Sequence, residues 1–265
     1  MLAERKWPCS MKIAVGITHK YHPTPRLSAN QVADYLSANA TNRRRILSDA
    51  KYPPTMILIR YDEARSALAA HMASNGSGKN ILSLALASLQ RKAANGGITD
   101  YKRQNYKLCT DAIEGFQASE AKMGIGSVKF KAPDIHTSKL NISGVTVSVS
   151  LDLITEKIDG KGNKVIGGAV LVFSKTGGPE KNVEARCQAI ALLAHEVLKQ
   201  HLKPGETCDP NICMAIDVFN GKAYRAKRQQ KQLFKTVETS CEEVVSIWPA
   251  IKPPANYNGP PIPKL

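Results

Sequence analysis

The chain has 265 residues, 43% of them hydrophobic, enough to bury a substantial core in one large domain or two small ones. Its 37 Lys and Arg against 22 Asp and Glu leave a net charge of +15, which favours polyanionic partners over basic ones. No apolar run reaches the roughly 18–20 residues of a membrane span, and the basic start MLAERKWPCSMKIAVGI has too short an apolar stretch for a secretory leader. The expectation is a cytoplasmic protein with no membrane partner.

In chain order, residues 1–27 read as an extension and 28–123 as a mainly helical region. Ser28 is a good N-cap for a helix over 28–38, with Gln31 placed to return a capping-box bond. A second short helix carries Arg43, Arg44 and Arg45 and stops at Tyr52-Pro53-Pro54. Residues 55–60 suggest a short strand or a buried segment. Helices follow over 61–73, 80–93 and 99–122, the first two separated by the flexible Asn75-Gly76-Ser77-Gly78. Residues 124–142, with Gly124, Gly126 and Pro133, are the natural joint.

From 140 to 248 the texture changes to α/β. Val145, Val147, Val149, Leu151 and Leu153 alternate with polar residues, so 144–154 predicts one strand with Asp152 on its polar face. Residues 159–163 make a turn, and 165–174 are apolar on both faces, as in an interior strand. A helix over 179–202, a strand over 212–219 and an Asn220-Gly221 hairpin turn into 222–226 come next. A helix over 228–248 precedes a proline-rich, extended tail, 249–265. The strand–helix–strand unit requires its two strands to run parallel. The whole predicts a mixed β-sheet flanked by helices in the order αβββαβ.

Positions two apart on a strand share a face, so Phe173 and Lys175 point together, and a hairpin partner brings Asp152 alongside. Two carboxylates and a lysine so placed would hold Mg²⁺ or Mn²⁺ and stabilise charge on a phosphate. Here only one carboxylate, Asp152, is present as a metal ligand, and a phenyl ring stands where the second acid belongs.

This pattern resembles the RecB-like branch of the PD-(D/E)XK nuclease superfamily, which includes the CRISPR-associated exonucleases. Ser28-Ala29-Asn30-Gln31-Val32 with Tyr35 is similar to the helical segment that opens that branch, and His71 is the candidate for its helix histidine. Asp152 matches the strand aspartate, Phe173-Ser174-Lys175 the acid-x-Lys ending, and Gln188 the helix glutamine, with Leu192 in place of the tyrosine. The resemblance implies a restriction-endonuclease-like core with a degenerate active site and a place in a DNA- or RNA-processing or defence assembly. Glu184 and Glu196 on the following helix are the acids that would substitute if catalysis survives.

Basic residues fit a nucleic-acid path. Lys222, Arg225, Lys227, Arg228, Lys231 and Lys235 run into the last helix, and Lys102, Arg103 and Lys107 join the arginine run 43–45. The six cysteines read as buried free thiols, because Cys208 and Cys213 have no second pair at metal spacing and His195 and His201 do not complete a zinc pattern. The expected function is non-catalytic nucleic-acid binding, with other protein subunits of a larger complex as further partners and no cofactor. The alternatives are an active Mg²⁺- or Mn²⁺-dependent nuclease with a displaced acid, and a protein–protein adaptor with a basic surface.

Overall fold

The computed structural model describes residues 18–55, 60–78, 80–134, 137–174, 180–227 and 230–262. A short strand, β1 (Arg26–Ser28), leads directly into helix α1 (Ala29–Ser37). The Ser28 hydroxyl accepts from Gln31 N at 3.2 Å while the Gln31 side chain accepts from Ser28 N at 2.8 Å. This is the reciprocal cap expected from the sequence. Asn39 caps α2 (Ala40–Lys51), which ends at Tyr52 before the two prolines. Helices α3 (Asp62–Ala73), α4 (Ile81–Ala94) and α5 (Asp100–Ser119) follow. The strand expected at 55–60 falls largely on residues 56–59, outside the described residues.

The second half holds β2 (Lys129–Lys131), β3 (Thr137–Ile142), β4 (Val145–Ser150), β5 (Leu153–Ile158), β6 (Lys164–Val172), α6 (Glu180–Lys199), β7 (Thr207–Cys208), β8 (Met214–Asp217), β9 (Lys222–Arg225) and α7 (Lys231–Ile247). The protein is therefore α/β, with mixed sheets and seven α-helices among the described residues. The central sheet has the order β2-β5-β6-β8-β9, with β7 continuing beside β6. Its β2/β5 and β5/β6 pairs are antiparallel, and β6/β8 is parallel across α6, as the strand–helix–strand unit required. A smaller sheet has the order β1-β4-β3.

Three expectations need correction. The strand expected over 144–154 is two strands: β4 belongs to the small sheet and β5 to the central one, with Leu151-Asp152 as the corner between them. The sequence alternation runs unbroken through the corner, yet Val149 and Leu151 face one hydrophobic cluster while Leu153 faces the other. A period of two reports burial, not which sheet does the burying. The second correction concerns the joint at 124–142, which contains β2 and β3. Strand β3 turns into β4 through Ser143 and Gly144, both at positive φ (45° and 83°), the two-residue primed turn that matches strand twist. Third, the β8–β9 connection takes four residues, 218–221, because Asp217 pairs with Lys222.

Helices cover both faces of the central sheet. Val32, Leu47, Ile190 and Val244, from α1, α2, α6 and α7, share one cluster, and Leu68, Leu89 and Phe116, from α3, α4 and α5, share the other. The helical first half is thus divided between the two layers. Strand β6 sends Ile166, Val170 and Val172 into the first layer and Val165, Ala169 and Leu171 into the second, buried on both faces as its composition demanded. The tail packs on α2: Lys51 Nζ donates to Trp248 O at 2.7 Å and to Ile251 O at 3.2 Å, and Tyr257 lies edge-on to Tyr52.

Candidate functional site at the Asp152 corner

At the corner the chain leaves one sheet for another, and the ladder beside β6 stops at Asp152. Asp152 N donates to Ala169 O at 2.9 Å, and its Oδ2 accepts from Leu171 N at 2.7 Å. The side chain continues the hydrogen bonding that the departing backbone gives up. The same Oδ2 receives Arg65 Nη1 at 2.6 Å from α3. The Asp152 side chain is only 9% exposed, so an unpartnered carboxylate there would be costly.

Arg65 also lies over the Phe173 ring, its guanidinium carbon 4.9 Å from the centroid. Phe173 leaves the end of β6 on the layer of α3–α5 and stacks on Tyr61 at 5.2 Å, and Tyr61 in turn meets the edge of Phe219 at 5.6 Å. Tyr61 holds φ at 63°, unusual for a bulky residue, and its backbone N–H donates to the buried Asn105 side chain at 3.2 Å. Sheet, α3 and α5 all converge here, at the carboxyl ends of the parallel strands, where α/β sheets commonly place their ligands. Arg65, Tyr61 and Asn105 were not found from the sequence. A lone arginine early in a helix carries no periodic signal, and its pairing with Asp152 is a tertiary event.

The other expected catalytic residues are elsewhere. Lys175 lies outside the described residues. His71 is six residues beyond Arg65 on α3, about 9 Å along the axis and about 240° around it. Its Nε2 meets Glu120 Oε1 at 3.1 Å, at the far end of α5. Gln188 donates to Glu184 Oε1 at 2.6 Å within α6, in the opposite helical layer from α3. Glu196, the other candidate substitute, is bound to His195 and Lys199. Among the described residues no three His, Cys, Asp or Glu side chains converge as a metal-binding group.

The basic candidates separate into structural and solvent-facing ones. Arg43 bonds Glu243 at 3.2 Å and Tyr35 O at 3.1 Å, Arg103 pairs with Asp100 at 3.0 Å, and Arg225 donates to Gly124 O. Arg44, Arg45, Lys102, Lys107, Lys222, Lys227, Lys231 and Lys235 are exposed, and Arg228 lies outside the described residues. They do not make one continuous path. Lys102 and Lys107 ride on α5 in one layer, whereas Arg44, Arg45, Lys231 and Lys235 ride on α2 and α7 in the other. Lys199, Lys227 and Lys231 line one depression beside His195 and Phe234.

No protein-family model matches the sequence, and no curated protein matches it.

Proposed function

We propose that this protein binds nucleic acid on a nuclease-like scaffold whose metal position is filled by a protein cation and an aromatic ring. The order α5-β2-β5-β6-α6-β8, with antiparallel, antiparallel and parallel neighbours, supports a restriction-endonuclease-like core of the RecB-like type, with the β3–β4 hairpin as an insertion. The observation that carries the non-catalytic assignment is the Arg65–Asp152 pair under Phe173. A hard divalent cation needs several oxygen donors. Phe173 offers none, and Oδ2 of Asp152 is already engaged by a guanidinium and by the Leu171 N–H. Arg65 supplies locally the positive charge that a metal would bring, but a guanidinium does not generate a hydroxide nucleophile. The work left to such a site is holding, as a non-catalytic member of a DNA- or RNA-processing or defence assembly.

Exposed lysines and arginines supply phosphate contacts without base readout. Fluorescence anisotropy with single- and double-stranded DNA and RNA, at 50 and 200 mM salt, tests this. Four phosphate contacts make affinity fall about 100-fold between those salt concentrations. Reversing charge in Lys231→Glu with Lys235→Glu is expected to weaken binding about 10-fold and flatten the salt slope. Absence of binding to every polymer at low salt would favour an adaptor that meets an acidic protein.

A further inference from the structure

Gly167 sets up a second site, on the path from α6 to β8. A Cβ at Gly167 would lie 2.5 Å from Ile212 O and 2.6 Å from Thr155 Oγ1, so only glycine lets the short 3-10 turn Pro210–Ile212 rest on β6. Thr155 Oγ1 donates to Ile212 O at 2.7 Å inside the protein, and Asp209 accepts from Asn211 N at 2.9 Å, which fixes the turn from both ends. The turn folds Cys213 back towards Cys208, and their sulfurs stand 3.6 Å apart. Cys208 is half-buried at the end of β7, whereas Cys213 is fully buried. His195 on α6 interacts electrostatically with Cys208, and its Nδ1 engages Glu196 Oε1 at 3.1 Å.

We propose that Cys208 and Cys213 are a peroxide-oxidisable dithiol, with Cys208 the attacking thiolate and Cys213 the resolving thiol. The hydrogen bond from Cys213 and the His195 contact outweigh burial and bring the Cys208 thiol down to about 6. Burial pulls His195 down, but its interactions with Cys208 and Glu196 raise it to about 9, so thiolate and imidazolium coexist at neutral pH. Cys213, next to that thiolate and buried, is held well above the usual thiol range and stays protonated. The other charged groups near the pair are Asp209, whose carboxylate opposes the thiolate, Lys199, which holds Glu196, and Lys227 and Lys231, which line the same depression as His195.

The chemistry closes. Cys208 sulfur attacks one oxygen of hydrogen peroxide, the O–O bond breaks, and the leaving hydroxide takes the His195 proton and departs as water. Cys213 sulfur then attacks the Cys208 sulfenic acid, the S–O bond breaks, and the hydroxide leaves as a second water with the Cys213 proton. Two thiols and one peroxide become one disulfide and two waters. At pH 7 a thiol of pKa about 6 is roughly 30-fold richer in thiolate than one of about 8.5, and its lower intrinsic nucleophilicity leaves a net advantage of a few-fold. Burial raises Cys187 to about 12 and Cys241 to about 11, so both serve as internal controls.

The test uses the reduced full chain with stoichiometric hydrogen peroxide and a chelator, followed by alkylation and peptide mass mapping. The expected product is one intramolecular Cys208–Cys213 disulfide, reversed by dithiothreitol. Alkylation of Cys208 by iodoacetamide should have a pH midpoint near 6, moved upward in His195→Gln. Cys213→Ser should stop at a Cys208 sulfenic acid that dimedone captures; the wild-type mapping decides even if that variant does not fold. Survival of both thiols while free cysteine in the same tube is oxidised would overturn the proposal. So would a disulfide joining either residue to any other cysteine, or a Cys208 midpoint near 8.5. None of these outcomes depends on whether the chain binds nucleic acid.

Discussion

The Asp152 corner and the Cys208 pocket each seat a partly buried anion against a cation, and they leave opposite residues of chemistry behind. At the corner the cation is a guanidinium that does not release its proton, and the anion is shared between Arg65 and Leu171 N. Nothing there is free to transfer. In the pocket the cation is an imidazolium raised to about 9 and the anion a thiolate lowered to about 6, so both stay ionised across the neutral range and the imidazolium holds a proton it can give to a leaving group. The lesson is that proximity of opposite charges marks a site, while the proton affinity of the cation decides whether the site is structural or reactive.

The largest expected effect comes from breaking the corner. Asp152→Ala removes the acceptor from Leu171 N and strands Arg65, which is a third exposed and so partly screened. A destabilisation of about 2–3 kcal/mol in urea unfolding is expected, with Asp152→Asn costing about half as much because it keeps the backbone bond. An unchanged midpoint for Asp152→Ala would mean that the corner is held by something else. Phe173→Ala comes next, at about 2 kcal/mol, from loss of half-buried area, the Tyr61 stack and the Arg65 contact. Since Tyr61 holds its positive φ against that ring, amide exchange at the start of α3 should quicken in the same variant.

The smallest effect sharpens the pocket. His195, raised in the folded state, contributes stability that is complete below its unfolded value near 6.5 and lost as pH rises through about 9. Cys208, lowered from 9.0, contributes stability present above that value and lost as pH falls through about 6. The pair is therefore formed between about 6 and about 9. The stability difference between wild type and His195→Gln should be widest in that window and narrow on both sides. A difference independent of pH would contradict the ion pair.

Much of the fold was legible because local chemistry determines it. The Ser28/Gln31 cap, the interior strand at 164–172 and the parallel crossover through α6 follow from caps, periodicity and order. The corner was not legible, because alternation from Val145 to Leu153 is the same whether one sheet or two does the burying. Asp152 and Phe173 were found as an anion and an oxygen-free position. Arg65, which decides what the pair does, was not, since it lies 87 residues before Asp152 with no motif connecting them. The dithiol was missed for a related reason. The spacing of Cys208 and Cys213 matches no metal pattern, and only the turn resting on Gly167 brings the sulfurs together.

The most direct test of the proposal that Arg65 and Phe173 fill a metal position is a Mn²⁺ titration by calorimetry, run beside a cleavage assay on labelled polynucleotides. Wild type is expected to show no stoichiometric Mn²⁺ site and no Mg²⁺- or Mn²⁺-dependent cleavage, while Arg65→Ala combined with Phe173→Glu gains a Mn²⁺ site. One tightly bound Mn²⁺ per wild-type chain, lost in Asp152→Asn together with cleavage, would contradict it.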